Sequence, residues 1–342
     1  MIAKTDLMLV AGAGGFIGGH LIGYLARQGY QNLRGVDIKP LAGWHQVHGN
    51  AVNRVLDLRL LRDCQEAVEG ASSVFNLASD MGGIGYIESN KALCMLSSLV
   101  NTHLLVAARE ARAKRFFFSS SACVYPTDKQ MYADVTPLRE SDAYPALPED
   151  GYGWEKLFAE RMCHHFHEDF GLHASVARLH NVYGPYGTYD GGREKAPAAI
   201  CRKVIEAKLS GKNEIEIWGD GEQTRSFLYI DDCLVGMQKI MESDITVPLN
   251  LGSSKLVTVN RLVDIVEDIA GARLKRTYKL DAPKGVRGRN SDNTLIRGML
   301  GWEPSISLRT GLEKTYAWIH GEMTKAKDHA PLVLSPPVGA AR

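Results

Sequence analysis

The sequence has almost no net charge, no long uninterrupted apolar run and no closely spaced pair of cysteines. It has no excess of charge of either sign, because 40 Lys and Arg residues face 39 Asp and Glu residues and leave a net charge of +1. Such a balance provides no broad field for nucleic acid or for a membrane surface. The apolar stretch near the N-terminus, 7–19, contains five glycines and follows Asp6, which is unlike a signal segment or a membrane span. We therefore expect a cytoplasmic protein that binds neither nucleic acid nor membrane.

The spacing of the cysteines is unlike that of zinc-cluster proteins and unlike that of disulfide-rich proteins. The six cysteines lie about 30 to 40 residues apart on average, and no two form a CxxC pair. That spacing argues against a zinc cluster and against a disulfide framework, so the sequence predicts no metal site. At most one or two of these thiols are expected to take part in chemistry.

The first half of the chain alternates short apolar runs with helix-length amphipathic stretches, a pattern typical of βαβ units. This predicts an α/β protein with a doubly wound parallel sheet. Helical and strand-like patterns resume after a glycine-rich loop at 183–192, which indicates a smaller, interleaved C-terminal domain. A length of 342 residues fits about two domains. The predicted division is 1–181 with 222–255 for the first domain, 182–221 with 256–328 for the second, and a loosely ordered tail at 329–342.

A glycine motif directly after the first strand is typical of a dinucleotide site. Gly12, Gly15 and Gly18 form GxxGxxG and open a helix, so the backbone N–H groups can approach a pyrophosphate. Asp37 follows the second strand, where a carboxylate accepts hydrogen bonds from a ribose diol and repels a 2′-phosphate, which favours NAD over NADP. Asp57 and Leu58 either face an adenine or have a helix-capping or surface role. The predicted cofactor contacts are Gly12, Gly15, Phe16, Ile17, Gly18, Asp37, Asp57 and Leu58, together with Tyr152 and Lys156.

A second motif indicates hydride chemistry. Tyr152 and Lys156 form YxxxK, which on a helix puts both side chains on one face. The ammonium is expected to lower the pKa of the phenol, so that the phenolate accepts a hydroxyl proton while a hydride leaves for NAD. Ser119, Ser120 and Ser121 end a strand about 30 residues upstream, and this run supplies the hydroxyl partner that such a tyrosine needs.

These motifs together resemble the extended short-chain dehydrogenase/reductase family over nearly the whole chain. The resemblance implies a Rossmann-like NAD domain, a smaller nucleotide-sugar domain, a homodimer, and catalysis by Ser121, Tyr152 and Lys156. Dehydratases of the family carry acidic residues at the positions of Ala122 and Cys123, and this chain has neither carboxyl. A cysteine beside a transient ketone can act as a base, and Lys195 at the end of a glycine loop can act as the opposing acid.

Seven strings narrow the resemblance to the GDP-mannose 3,5-epimerases within that family. They are NLASDMGGIG, SSACVYP, GYGWEK, HNVYGPYGT, GGREKAPAA, WGDGEQTRSF and GVRGRNSDN, in this order along the chain. The resemblance implies C4 oxidation through Tyr152, inversion at C5 and C3 by Cys123 and Lys195, and return of the hydride to give GDP-L-galactose, with GDP-L-gulose as a further product. It assigns substrate contacts to Gly82, Ser121, Ala122, Cys123, Asn181, Glu194, Lys195, Ala196, Lys203, Gln223, Thr224, Arg225 and Arg289.

Several alternatives remain open at the level of sequence. A nucleotide-sugar 4-epimerase needs Tyr152 and Lys156 but not Cys123 or Lys195, and an NAD-binding scaffold needs none of the four. Either Arg287 or Arg289 faces the diphosphate. The product suits ascorbate synthesis in a plant or a polysaccharide sugar in a bacterium.

Overall fold

Strands and helices alternate along the first 180 residues, as the sequence predicts. The structure is a computed structural model that describes residues 2–328. The strands are β1 (Leu7–Ala11), β2 (Asn32–Asp37), β3 (Val52–Val55), β4 (Ser73–Asn76), β5 (Arg115–Ser121), β6 (His173–Leu179), β7 (Val182–Tyr183), β8 (Glu214–Trp218), β9 (Thr224–Ser226), β10 (Leu228–Tyr229), β11 (Leu249–Leu251), β12 (Leu256–Thr258), β13 (Lys275–Lys279) and β14 (Gly288–Arg289). The α-helices are α1 (Phe16–Arg27), α2 (Leu61–Val68), α3 (Ile84–Ser89), α4 (Lys91–Met95), α5 (Ser97–Glu110), α6 (Tyr152–Phe170), α7 (Ala196–Ser210), α8 (Ile230–Glu242), α9 (Val259–Ala270), α10 (Thr294–Leu300) and α11 (Leu308–Asp328).

Seven parallel strands form the main sheet, in the order β3-β2-β1-β4-β5-β6-β11. The chain runs outward in one direction from β1 to β3 and in the other from β4 to β11. The order therefore reverses between β1 and β4, and in doubly wound sheets ligands bind at the carboxyl ends of the strands at that point. The predicted fold class, a doubly wound parallel sheet, is confirmed.

The two faces of this sheet carry separate apolar cores because successive strand residues point to opposite sides. In β1, Val10 packs with α1 and α8 residues, whereas Leu9 packs in the other core with residues of α2 and α5. In β5, Phe117 packs in the same core as Val10, and its neighbour Phe118 packs in the same core as Leu9. Since both faces are covered by helices, the strands read as continuous apolar runs in the sequence.

The second half of the chain contributes smaller sheets beside the large one. β9 lies between β12 and β14, β8 pairs with β13, and β7 pairs with β10. β11 returns to the edge of the main sheet, which interleaves the two halves of the chain. β9 falls within the segment 222–255 assigned to the cofactor domain but lies in a smaller sheet; the domain division stays a prediction. The predicted loose tail, 329–342, lies outside the described residues.

Two predicted elements differ in detail from the structure. The sequence pattern over 92–110 is one helix-length amphipathic stretch and predicts a single helix, whereas the structure divides it at Leu96 into α4 and α5. The pattern over 226–230 is strand-like and predicts one strand, but this run is divided at Phe227, because β9 and β10 pair with different sheets, and Ile230 already begins α8. By length and hydropathy, Lys91–Glu110 is also apolar enough to cross a membrane, and 39% of its most apolar window is buried in the structure.

Candidate active site

A cavity of about 680 Å³ opens at the reversal point of the main sheet. It collects the loops that follow β1, β2, β4 and β5 with the start of α6. All ten residues predicted to contact the cofactor line it: Gly12, Gly15, Phe16, Ile17, Gly18, Asp37, Asp57, Leu58, Tyr152 and Lys156. Motifs more than 130 residues apart in the sequence thus meet in one place, although their individual ligand contacts stay predictions.

The glycines after β1 are shaped to admit a dinucleotide. Gly12 has φ +83°, and a Cβ there would lie 2.9 Å from the backbone of Ala78. A Cβ on Gly18 would lie 2.2 Å from the carbonyl oxygen of Gly12, so the helix and loop approach as closely as glycine permits. No side chain caps the N-terminus of α1, whose first N–H groups face this loop. A pyrophosphate fits here, since free N–H groups and the helix dipole both attract it.

Asp37 combines two tasks at the end of β2. Its Oδ2 accepts a hydrogen bond from Gly14 N (3.0 Å) and its Oδ1 accepts one from Lys39 N (3.0 Å). Each carboxylate oxygen has a second lone pair for a ribose hydroxyl. Lys39, a possible partner for a 2′-phosphate, donates instead to Gly14 O (3.1 Å). The local charges therefore favour NAD. Asp57 pairs with Arg59, whose hydrogen bonds lower the pKa of that carboxyl.

Removing the carboxylate of Asp37 should weaken cofactor binding. Loss of charge-assisted hydrogen bonds costs about 1.5–3 kcal/mol, so we expect Asp37→Ala to raise the Kd for NAD roughly 10- to 100-fold. Calorimetric titration of the purified variant measures this, with Asp37→Asn as the milder comparison because its Oδ1 can still accept. A Kd for NAD that is unchanged in Asp37→Ala would contradict the assignment of this carboxylate to the ribose.

Tyr152 is the first residue of α6, Lys156 follows one turn later, and both are buried. The predicted lowering of the tyrosine pKa is wrong for this arrangement. Burial raises the pKa of Tyr152 well above 10, the charges of Cys123 and Glu155 add to the rise, and a hydrogen bond with Ser121 opposes it. Lys156 Nζ lies 5.4 Å from the centre of the tyrosine ring, so its attraction does not outweigh the desolvation of a buried phenolate.

A buried chain of polar groups beside Lys156 was missed by sequence reasoning. Glu155 Oε2 lies 3.7 Å from Lys156 Nζ, and Glu155 Oε1 accepts a hydrogen bond from Asn101. Asn101 Oδ1 in turn accepts from Asn76 Nδ2 (2.7 Å) at the end of β4. Burial raises the pKa of Glu155, and Lys156 and Asn101 oppose the rise. This carboxyl is placed to offset the charge of Lys156 and to fix its position.

Cys123 lies in a cluster of positively charged side chains. Arg289 donates from Nη1 to Cys123 Sγ (3.3 Å) and from Nε to Gln130 Oε1 (2.6 Å). Lys195 lines the cavity, and burial lowers the pKa of its ammonium, while Cys123 opposes that shift. Burial and the charge of Arg289 lower the pKa of Arg225 to about 9, so it stays protonated at neutral pH. The thiol and the lysine predicted as base and acid are thus brought into one electrostatic cluster.

Arg287 and Arg289, the two candidates for the diphosphate, have different surroundings. Arg287 donates to Asp220 Oδ1 (2.7 Å) near the surface, whereas Arg289 is 9% exposed and reaches Cys123. Arg289 therefore faces the thiol. Which of the two arginines faces the diphosphate stays a prediction. The contact with Cys123 was not foreseen, because no sequence pattern signals a contact between residues 166 positions apart.

The remaining predicted substrate residues divide into two groups. Gly82, Ser121 and Lys195 line the cavity. The other positions lie outside its lining and are engaged within the protein where a contact is given: Asn181 donates to Ser226 O, Gln223 to Trp218 O, Lys203 to Glu216 O, Thr224 to Ala133 O, Arg225 to Val286 O, and Glu194 accepts from Arg202. Ala122 is buried behind Ser121, and Ala196 opens α7 after Lys195. Their substrate contacts stay predictions.

The chain is similar to known epimerases in sequence and in fold. Residues 8–252 match the NAD dependent epimerase/dehydratase family. The chain is 43% identical over 324 residues to GDP-mannose 3,5-epimerase 1 of Oryza sativa subsp. japonica, covering 93% of this chain and 82% of the rice protein.

Two solved structures share the fold. UDP-glucose 4-epimerase of Thermotoga maritima, solved with UDP-glucose, is 26% identical to this chain with a TM-score of 0.83. The match covers 92% of this chain and 99% of the Thermotoga chain. UDP-glucuronic acid 4-epimerase of Bacillus cereus, solved with UDP-glucuronic acid and NAD, is 25% identical with a TM-score of 0.78 and the same two coverages. The glycine loop, the Tyr152 and Lys156 pair and these likenesses lead to one conclusion: the chain is an enzyme of the NAD-dependent epimerase/dehydratase family.

Proposed function

We propose that this enzyme is a GDP-mannose 3,5-epimerase that converts GDP-D-mannose to GDP-L-galactose, with GDP-L-gulose as the product of C5 inversion alone. One observation carries the proposal: Cys123 and Lys195 belong to the charged cluster beside Tyr152, in a chain 43% identical to a rice protein of that name. A 4-epimerase inverts the carbon that it oxidises and has no use for this second pair.

Oxidation at C4 falls to Tyr152, with Ser121 as the partner of its phenol. When bound, NAD supplies the hydride acceptor and a positive charge near the phenol. Tyr152, as the phenolate, takes the proton of the C4 hydroxyl and later returns it as the phenol. Burial raises the pKa of this phenol, and the positive charge of bound NAD would oppose that rise. Lys156 and Glu155 form a buried pair of opposite charges that holds this end of α6 in place.

Inversion at C5 and C3 falls to Cys123 and Lys195. A ketone at C4 makes the hydrogens on both neighbouring carbons acidic. Cys123 removes such a proton as base, and Arg289 places a positive charge 3.3 Å from the sulfur that acts. Lys195 delivers a proton to the other face of the sugar ring, and its lowered pKa makes that transfer easier. Arg225 and Arg289, two buried neighbouring cations, suit a ligand with negative charge.

Product analysis tests the proposed function. Purified protein is incubated with NAD and GDP-mannose, and the nucleotide sugars are separated and identified by NMR. We expect GDP-L-galactose and GDP-L-gulose. Recovery of GDP-talose, the C4 epimer, as the sole new product would overturn the proposal in favour of a 4-epimerase, and conversion of a UDP-sugar but not GDP-mannose would overturn the choice of nucleotide.

We further propose that the enzyme is a homodimer joined through α5 and α6. These helices pack side by side and leave Leu96, Leu99, Trp154 and Phe158 exposed, which is a costly surface for a free monomer. A second copy that presents the same two helices would cover all four side chains and would account for the apolar character of the 91–110 segment.

Charge placed on this surface should separate the subunits. We expect Phe158→Glu to be monomeric by light scattering at concentrations where the unmodified protein is a dimer. Phe170→Glu, also exposed and on the same helix but at its far end, serves as the comparison and should disturb the assembly less. A monomeric unmodified protein would contradict the proposal.

A cytoplasmic location is also proposed. All six cysteines are free thiols in the structure, and five of them are buried. The base assigned to Cys123 must stay reduced to act, which a reducing compartment ensures. Fractionation of the source cells, followed by immunodetection, tests the location.

A further inference from the structure

The loop that carries Lys195 is fastened to the loop after β4 by three side chains, Asp80, Tyr86 and Arg193, which we call the Arg193 clasp. Arg193 donates from Nη1 to Asp80 Oδ1 (2.7 Å) and from Nη2 to the Tyr86 hydroxyl (2.6 Å). Tyr86 donates in turn to the same oxygen of Asp80 (2.9 Å). The guanidinium also lies over the Tyr86 ring, 3.8 Å from its centre. Every member of the clasp therefore contacts both of the others.

The backbones of the two loops meet at the same place. Gly83 N donates to Arg193 O (3.0 Å), and a Cβ on Gly83 would lie 2.4 Å from Glu194 O. The loops thus approach each other closely enough to exclude any side chain at position 83. Asp80, Gly82 and Arg193 also line the cavity, so the clasp lies at the mouth of the active site.

The other side of the Lys195 loop is fastened as well. Glu194 Oε1 accepts from Arg202 Nη2 (3.2 Å) on α7, and Glu194 Oε2 accepts from Gly192 N (2.7 Å). Arg193 and Glu194 therefore fix the loop in opposite directions, and the next residue, Lys195, points into the cavity. Gly191 and Gly192, which both have positive φ, precede this segment, and α7 follows it. The contacts of Arg193 and Glu194 restrain a segment that would otherwise be flexible.

We propose that Arg193 is a positioning residue for the proton transfers at C5 and C3. It fixes the loop that presents Lys195, and it does not contact Tyr152, so C4 oxidation does not depend on it. A single exposed ion pair stabilises a fold little, but a displacement of about 1 Å in a reacting group can lower a rate by roughly 100-fold. The clasp should therefore affect proton transfer far more than stability. This inference rests on the proposed function.

The test separates proton transfer from oxidation in three variants. Arg193→Met removes the clasp, Tyr86→Phe keeps the ring but removes its hydroxyl, and Arg297→Met removes an exposed arginine of α10 that pairs with Glu303. For each variant, NADH formation with GDP-mannose is followed in a single turnover, and deuterium uptake at C5 and C3 is followed in D₂O. We expect Arg193→Met to lower deuterium uptake about 10- to 100-fold and NADH formation by no more than about twofold. For Tyr86→Phe, the fall in deuterium uptake should lie between the fall in Arg193→Met and the unchanged value of the Arg297→Met control.

A second readout does not depend on the substrate. Amide hydrogen exchange of the NAD-loaded protein should become faster at Gly83 and over 191–195 in Arg193→Met, and stay unchanged in Arg297→Met. Unchanged amide exchange in Arg193→Met, or an equal fall in NADH formation and deuterium uptake, would overturn the proposal. If the unmodified protein takes up no deuterium from GDP-mannose while the amide exchange of Arg193→Met rises, the proposed function fails and the clasp stands.

Discussion

Replacing Tyr152 with phenylalanine should lower the rate of NADH formation from GDP-mannose by about a thousandfold, which lies within the range attributed to a positioned acid or base. The phenolate of Tyr152 is the group at this end of α6 that takes the C4 proton, and the variant keeps the ring that packs against Ile87 and Cys94. The fold, the glycine loop and Asp37 are untouched, so the Kd for NAD should change far less than the rate of NADH formation. Stopped-flow absorbance measures the rate, and calorimetry measures the binding.

Tyr125→Phe is the matched control for this result. Tyr125 and Lys129 repeat the YxxxK spacing, but the Tyr125 hydroxyl donates to Asn250 Oδ1 (2.6 Å) in a buried structural network. Its loss should lower the free energy of unfolding by about 1 kcal/mol and leave NADH formation within roughly threefold of the unmodified enzyme, less than a 1.4 kcal/mol effect. If both variants lose NADH formation equally, Tyr152 has no special role.

Cys123→Ala and Lys195→Met should separate epimerisation from oxidation. Each variant removes one of the two groups that move protons at C5 and C3, so deuterium uptake at these carbons should fall by about 100- to 10,000-fold. NADH formation should persist, because Tyr152 and the glycine loop are unchanged. Mass spectrometry of the recovered sugar measures the uptake. The alternative 4-epimerase predicts full turnover in both variants.

Lys208→Met provides the control for the lysine. Lys208 lies in the last turn of α7, the helix that Lys195 precedes, and its Nζ donates to Ala270 O away from the cavity. Loss of this cation should leave deuterium uptake unchanged. A comparable fall in Lys208→Met would mean that α7 was disturbed as a whole and that Lys195 is not the specific acid.

The sequence predicts those parts of the site that short-range spacing determines. The glycine turn, Asp37 at the end of β2, and Tyr152 with Lys156 on one helix turn each depend on residues within about 20 positions and on the geometry of a single strand-turn-helix unit. The structure brings them to one cavity because the carboxyl ends of parallel strands share an edge. The helix and strand order could be predicted for the same reason.

Contacts between distant residues could not be predicted from spacing. Arg289 reaches Cys123 across 166 residues, and Arg193 reaches Asp80 across 113. Each is one of many arginines in the sequence, and a surface position is the ordinary expectation for any of them. The tyrosine pKa was predicted in the wrong direction because the motif names the nearby cation and gives no measure of burial. Glu155 was missed for a related reason, because the YxxxK motif specifies its neighbour Lys156 and not the residue at position 155.

The central claim is that Cys123 and Lys195 move protons at two carbons beside a transient ketone. The most direct test incubates the NAD-loaded enzyme with GDP-mannose in D₂O and locates deuterium in the products by NMR. We predict deuterium at both C5 and C3 of GDP-L-galactose, deuterium at C5 alone in GDP-L-gulose, and retention of the original hydrogen at C4, because the same hydride returns. Products free of deuterium at C5 and C3 would contradict the claim.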